Sequence, residues 1–116
     1  MKYQKIDNEN MYGAIYDFPD HISDAIRIGT ELIVKNIKLP IQNVIIAGMG
    51  GSAIGGDILR VLIKDEIKIP LFVSRHYVLP NWVDENTLVI CSSYSGNTEE
   101  TLSSYDDAIN KGAQLI

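Results

Sequence analysis

The chain opens without a sustained apolar period. Polar residues dominate up to Asn10, and a short helix is expected over residues 8–18, with Asn8 as its N-cap and Pro19 as its stop. A second helix is expected from about Asp20 to Asn36. Ile22, Ile26, Gly29 and Ile33 recur there at spacings of four, three and four, which is one face of a helix. These helices, in residues 1–40, are expected to pack on a sheet formed by residues 41–116.

The period then changes. Asn43-Val44-Ile45-Ile46-Ala47-Gly48 is a continuous apolar run closed by glycine, the pattern of a strand buried on both faces. From Ser52 to Lys64 the spacing is helical again, through Ile54, Ile58, Leu59, Leu62 and Ile63. Pro70–Ser74 and Thr87–Ser92 read as strands, and Asn97–Asn110 as a helix with Leu102, Tyr105 and Ile109 on one side. Lys111 and Gly112 supply the cation and the glycine that commonly end helices. The stretch Arg75–Asn86 is too short for a crossover helix with turns at both ends. It holds Pro80, Trp82 and Asp84, and a loop with room for one helical turn is expected. Ala113–Ile116 reads as the opening of a fourth strand. A sheet with a bare edge pairs readily with another chain, so the sequence is expected to be the N-terminal piece of a longer protein. The alternation predicts an α/β fold, a parallel sheet flanked by helices and truncated at its C-terminal side.

Composition narrows the function. A length of 116 residues suits one domain, and 46% hydrophobic with 22% charged residues is an ordinary globular balance. The net charge of −5 argues against nucleic acid or an anionic membrane as partner. It leaves room for a small anion, because clustered N–H groups hold a phosphate without any lysine. Cys91 is the single cysteine, so no disulfide forms within the chain and a reducing, cytoplasmic compartment is expected. No apolar run approaches the roughly 20 residues that span a bilayer.

Two segments carry chemistry. The first, Gly48-Met49-Gly50-Gly51-Ser52-Ala53-Ile54-Gly55-Gly56-Asp57, joins a buried strand to a helix. Its glycines let a ligand approach the backbone, and free N–H groups at the helix start point at it. Ser52 is expected to add a hydroxyl as the N-cap. The second, Ser92-Ser93-Tyr94-Ser95-Gly96-Asn97-Thr98-Glu99-Glu100-Thr101, again lies between strand and helix. Asn97 and Glu100 fit a capping box. Capping leaves Ser93, Ser95 and Thr98 unexplained together, whereas a phosphate cradle uses them all. Both segments sit at the C-terminal ends of parallel strands, where open α/β sheets bind ligands.

Rival readings fare unevenly. Gly48, Gly50 and Ala53 match the dinucleotide fingerprint, and Arg75 after the second strand could accept a 2′-phosphate, so an NADP-binding domain stays open. No Lys follows the glycines as a P-loop requires. The nucleophile elbow fails at Ile54 around Ser52 and at Ser93 around Ser95. His21, His76 and Cys91 lack metal-ligand spacing. Glu99 and Glu100 at a helix start complement its dipole, which suits a general base poorly.

Taken together, Gly48-Met49-Gly50-Gly51-Ser52 and Ser93-Tyr94-Ser95-Gly96-Asn97-Thr98-Glu99-Glu100-Thr101 resemble the sugar isomerase (SIS) fold, and within it the bifunctional phosphoglucose/phosphomannose isomerase family. The resemblance covers the whole chain. It implies a homodimer of longer chains with two SIS subdomains, of which residues 41–116 match an incomplete first one. It implies that Ser93, Ser95 and Thr98 grip the sugar phosphate and that Gly50, Gly51 and Ser52 lie near the sugar. It implies no cofactor, and it puts the glutamate base and the ring-opening histidine and lysine beyond this sequence. Interconversion of glucose 6-phosphate, mannose 6-phosphate and fructose 6-phosphate through an enediol(ate) is the implied reaction, with this piece alone inactive. A non-catalytic SIS module that senses a phosphosugar is the alternative from the binding class.

Overall fold

The computed structural model describes residues 6–34, 37–38 and 40–116. The chain divides into two compact units, residues 1–35 and 36–116. The reading of residues 1–5 as a polar terminus, and of Lys35 and Asn36 as helical, falls outside the described residues.

The first unit holds α1 (Met11–Tyr16) and α2 (Phe18–Glu31). The Asp7 carboxylate, not Asn8, satisfies the start of α1: its oxygens accept the N–H groups of Met11 at 2.7 Å and Tyr12 at 2.9 Å. Pro19 does not stop α1 but stands in the first turn of α2. A first-turn N–H has no helical partner to lose, and the fixed φ of proline suits that position. The break falls at Asp17 instead. α2 ends at Glu31, with Leu32 already extended, so Ile33 lies past the expected stripe. The last turn carries no basic residue, and Leu32-Ile33-Val34 ends in β-branched residues that favour extended backbone. Arg27 pairs with Asp24 and Glu31, each at 3.2 Å, on the helix surface. Within this unit neither helix buries a residue.

The second unit contains β1 (Asn43–Gly48), α3 (Gly50–Leu62), β2 (Leu71–Ser74), β3 (Thr87–Ser92), α4 (Glu99–Asn110) and β4 (Gln114–Leu115). The strands form one sheet in the order β2-β1-β3-β4, with every pair parallel. The α/β reading therefore holds. β1 is central, and its residues Val44 to Gly48 are buried, as its unbroken apolar run requires.

Side-chain alternation along β1 serves two layers. Ile45 and Ala47 join Val89 of β3, Ala108 of α4, and Leu79 and Val83 in the main core. Ile46 points the other way, where it and Val73 of β2 press on Gly56 of α3. A β-carbon at Gly56 would stand 3.1 Å from Ile46 and 3.2 Å from Val73, so the missing side chain lets α3 lie close to the sheet.

The stretch from Arg75 to Asn86 contains turns and no helix. It is nonetheless a structural layer. Leu79 is 2% exposed and Val83 5% exposed in the core. The Leu79 N–H donates to the Asp107 carboxylate at 2.8 Å, and the Ser104 hydroxyl donates to the His76 carbonyl at 2.8 Å. These bonds strap the loop to α4.

The end of α4 follows its expected signal. Gly112 has φ +73, its N–H reaches the Ile109 carbonyl, and the Ala113 N–H reaches the Ala108 carbonyl, each at 3.0 Å. That is a Schellman closure, and it returns the chain into β4 beside β3.

Candidate functional site

All strands are parallel, so β1 and β3 end on the same edge. Their register pairs Gly48 with Ser92, which starts the two loops side by side. From β1 the chain crosses to β2 on one side, and from β3 it crosses to β4 on the other. This reversal between adjacent strands is the switch point at which open α/β sheets form a ligand crevice.

A cleft of about 570 Å³ occupies that point, lined by Met49, Gly51, Ser52, Tyr94, Ser95 and Thr98. The glycine-rich and hydroxyl-rich segments thus meet across one space. Of the residues singled out from sequence, Gly51, Ser52, Ser95 and Thr98 line the cleft directly. Gly50 is not among the lining residues; it is the turn residue between Met49 and Gly51, with φ +52, which a side chain rarely tolerates. Ser93 does not line the cleft either, but its hydroxyl lies 2.9 Å from that of Thr98, which does.

The hydroxyls form a cluster. Ser95 lies 3.4 Å from both Ser93 and Thr98. The Gly96 N–H donates to the Ser93 oxygen at 3.1 Å, and the Asn97 N–H to the Ser95 oxygen at 3.2 Å. The Ser93–Thr98 contact uses one hydroxyl proton, and the remaining hydroxyl protons of the cluster can turn toward an acceptor. An anion in the cleft would meet converging neutral donors.

The helix starts differ from expectation. α3 begins at Gly50 with Met49 as N-cap, so Ser52 is the third residue of its first turn rather than the cap. α4 begins at Glu99 with Thr98 as N-cap, and no side chain caps it. The Asn97–Glu100 capping box does not form. The turn spends its side chains on the Ser93–Ser95–Thr98 cluster, and the N-terminal N–H groups of both helices stay free of side-chain caps. Their dipoles favour negative charge at the same edge.

Sequence reasoning missed Met49 and Tyr94 as lining residues. Their signal was present, since each is the one large side chain inside its turn. Glu99 and Glu100 do not line the cleft. Their charges, Glu100 first and then Glu99, hold the nearby Tyr77 phenol above its ordinary range. Arg75, the candidate for a 2′-phosphate, is instead ion-paired with Asp57 of α3 and lies outside the cleft lining. Burial pushes the Cys91 thiol up. Among the described residues, no group of His, Cys, Asp and Glu side chains is placed to hold a metal ion, and no helix is long and apolar enough to cross a membrane.

The fold and cleft define a parallel α/β domain with an anion-suited crevice at its switch point. Comparison with known proteins gives this class a family. The chain is 54% identical over 106 residues to a bifunctional phosphoglucose/phosphomannose isomerase of Caldicellulosiruptor bescii, covering 91% of this chain and 31% of that protein. Proteins of the same name from Thermoplasma acidophilum and Aquifex aeolicus are 51% identical over 74 residues and 45% identical over 87 residues. Those matches cover 64% and 74% of this chain, and 23% and 27% of the relatives. The chain belongs to the bifunctional phosphoglucose/phosphomannose isomerase family, and it spans less than a third of the length of the curated relatives it matches. No family profile matches it, and no solved structure does.

Proposed function

We propose that this chain is the sugar-phosphate grip of an aldose–ketose isomerase. The full protein interconverts glucose 6-phosphate, mannose 6-phosphate and fructose 6-phosphate, in the cytoplasm and as a homodimer. The observation that carries the reading is the single cleft shared by Gly51, Ser52, Ser95 and Thr98. The names of the relatives support the substrate class.

The division of labour follows from the chemistry. Moving a proton between C1 and C2 through an enediol(ate) needs a base tuned near working pH and an acid to open the ring. Neither lines this cleft. The phosphate is remote from the reacting carbons, and holding it supplies binding energy that fixes the sugar against catalytic groups supplied elsewhere. Ser93, Ser95 and Thr98 hold the phosphate, and Gly50, Gly51 and Ser52 approach the sugar. The enediol(ate) has no stereocentre at C2, which lets one site serve both epimers.

The test is a titration of the chain with fructose 6-phosphate, followed by amide NMR and a coupled isomerase assay. Shifts confined to residues 49–52 and 93–99, with no turnover, are expected. Absence of shifts there overturns the grip, and turnover overturns the division of labour.

A further inference from the structure

Two large side chains, one apolar and one aromatic, line the cleft beside the hydroxyl cluster. Met49 comes from the turn after β1 and Tyr94 from the turn after β3. Met49 is half-buried, whereas the Tyr94 side chain is fully exposed. The backbone on either side of Tyr94 is held, because the oxygens of Ser93 and Ser95 accept the N–H groups of Gly96 and Asn97. The ring is therefore presented to solvent from an anchored turn. Tyrosine offers broad contact area at small conformational cost, having only two side-chain torsions.

The size of the cleft points the same way. A phosphate group would fill a small part of about 570 Å³. Small-molecule sites combine apolar and aromatic walls with a few convergent polar groups, and the polar groups here are the hydroxyls and the glycine turn. We propose that Tyr94, with Met49 beside it, determines specificity by packing on the C–H face of the carbon chain that the phosphate carries. The cleft then selects a polyol phosphate monoester over inorganic phosphate. This inference rests on the reading of the hydroxyl cluster as a phosphate grip.

The experiment compares the 116-residue chain with its Tyr94→Ala and Tyr94→Phe variants. Each is titrated with glucose 6-phosphate, fructose 6-phosphate and inorganic phosphate, reading amide and tyrosine-ring NMR signals. The side chain is fully exposed, so both variants keep the fold. The parent chain is expected to bind the sugar phosphates about tenfold more tightly than phosphate, a difference of about 1.4 kcal/mol. Tyr94→Ala abolishes that preference and leaves phosphate affinity unchanged. Tyr94→Phe keeps the preference, and the Tyr94 ring signals move with sugar phosphate only. A preference that survives in Tyr94→Ala, or is lost equally in Tyr94→Phe, overturns the proposal. Equal binding of phosphate and sugar phosphate by the parent chain sinks this inference and leaves the phosphate grip standing. Binding of neither sinks both.

Discussion

A β-carbon placed on Gly48 would stand 2.8 Å from the carbonyl oxygen of Ser92. The two residues are register partners at the ends of β1 and β3, and the turns that form the cleft diverge from them. Only a glycine lets the turns begin this close together. Gly48→Ala forces backbone apart, which costs about 1–3 kcal/mol. Gly55, in the exposed interior of α3, meets nothing within 4 Å. Gly55→Ala is therefore expected to stabilise by about 0.5–1 kcal/mol. Urea unfolding of the two variants checks the contrast, and equal effects would refute the close-approach argument.

The hydroxyl cluster is expected to matter for ligand rather than for stability. Ser93→Ala combined with Thr98→Val removes two of its members without removing a helix cap, since Thr98 makes no side-chain cap bond. Each lost hydrogen bond to a charged phosphate weakens binding by about 1.5–3 kcal/mol. Calorimetry with glucose 6-phosphate measures the loss. Retained affinity in the double variant would remove the grip assignment.

The strap over α4 predicts a structural phenotype. Asp107 accepts from the buried Leu79 backbone and also faces Lys111 at 3.5 Å. Asp107→Ala leaves the Leu79 N–H without an acceptor, at a cost of about 1–3 kcal/mol. Asp107→Asn keeps an oxygen there and loses less. Hydrogen exchange at the Leu79 amide reports the opening directly, and unchanged protection in Asp107→Ala would contradict the strap.

Thr101 is 5% exposed, and its hydroxyl has no hydrogen-bond partner among the described residues. A buried hydroxyl without a partner lowers stability, so Thr101→Val is expected to hold or raise the unfolding midpoint. A marked fall would mean that the hydroxyl has a partner after all.

Alkaline pH should weaken the fold. Burial raises the Cys91 thiol above its ordinary value of 9.0. The charges of Glu100 and Glu99 raise the Tyr77 phenol above 10.0. Both groups bind their proton more tightly folded than unfolded. Their contribution is complete below those ordinary values and is lost as pH rises through the raised folded ones. Unfolding midpoints measured on either side of that window should fall with pH, and Glu100→Gln should lower the pH at which Tyr77 ionises. Cys91 should also alkylate slowly at neutral pH, since the thiolate is the reactive form.

Much of this domain was legible before any coordinates. Strands show where apolar residues run together: β1, buried on both faces, matches its expected bounds from Asn43 to Gly48, and the less buried β3 matches from Thr87 to Ser92. The Lys111-Gly112 stop is equally local, since a positive φ belongs to glycine's own backbone. The two chemical segments stand out for the same reason, their composition being excessive for a plain turn.

Local pattern failed where a residue's partner lies elsewhere in the chain. Pro19 suits a helix start as well as a helix end, and neighbouring residues do not say which. Asn97 and Glu100 spell a capping box, yet Thr98 takes the cap position. Leu79 and Val83 lie in an aperiodic loop and join the core, and the bond that straps Leu79 to α4 is made to Asp107, 28 residues away. Strand order, and with it the placing of the two turns on either side of one switch point, is a matter of pairing between distant segments. The residue types that suit an anion are written in the chain. Their convergence on one cleft, and the presence of Met49 and Tyr94 in it, depend on which strands lie side by side, and no short-range periodicity encodes that.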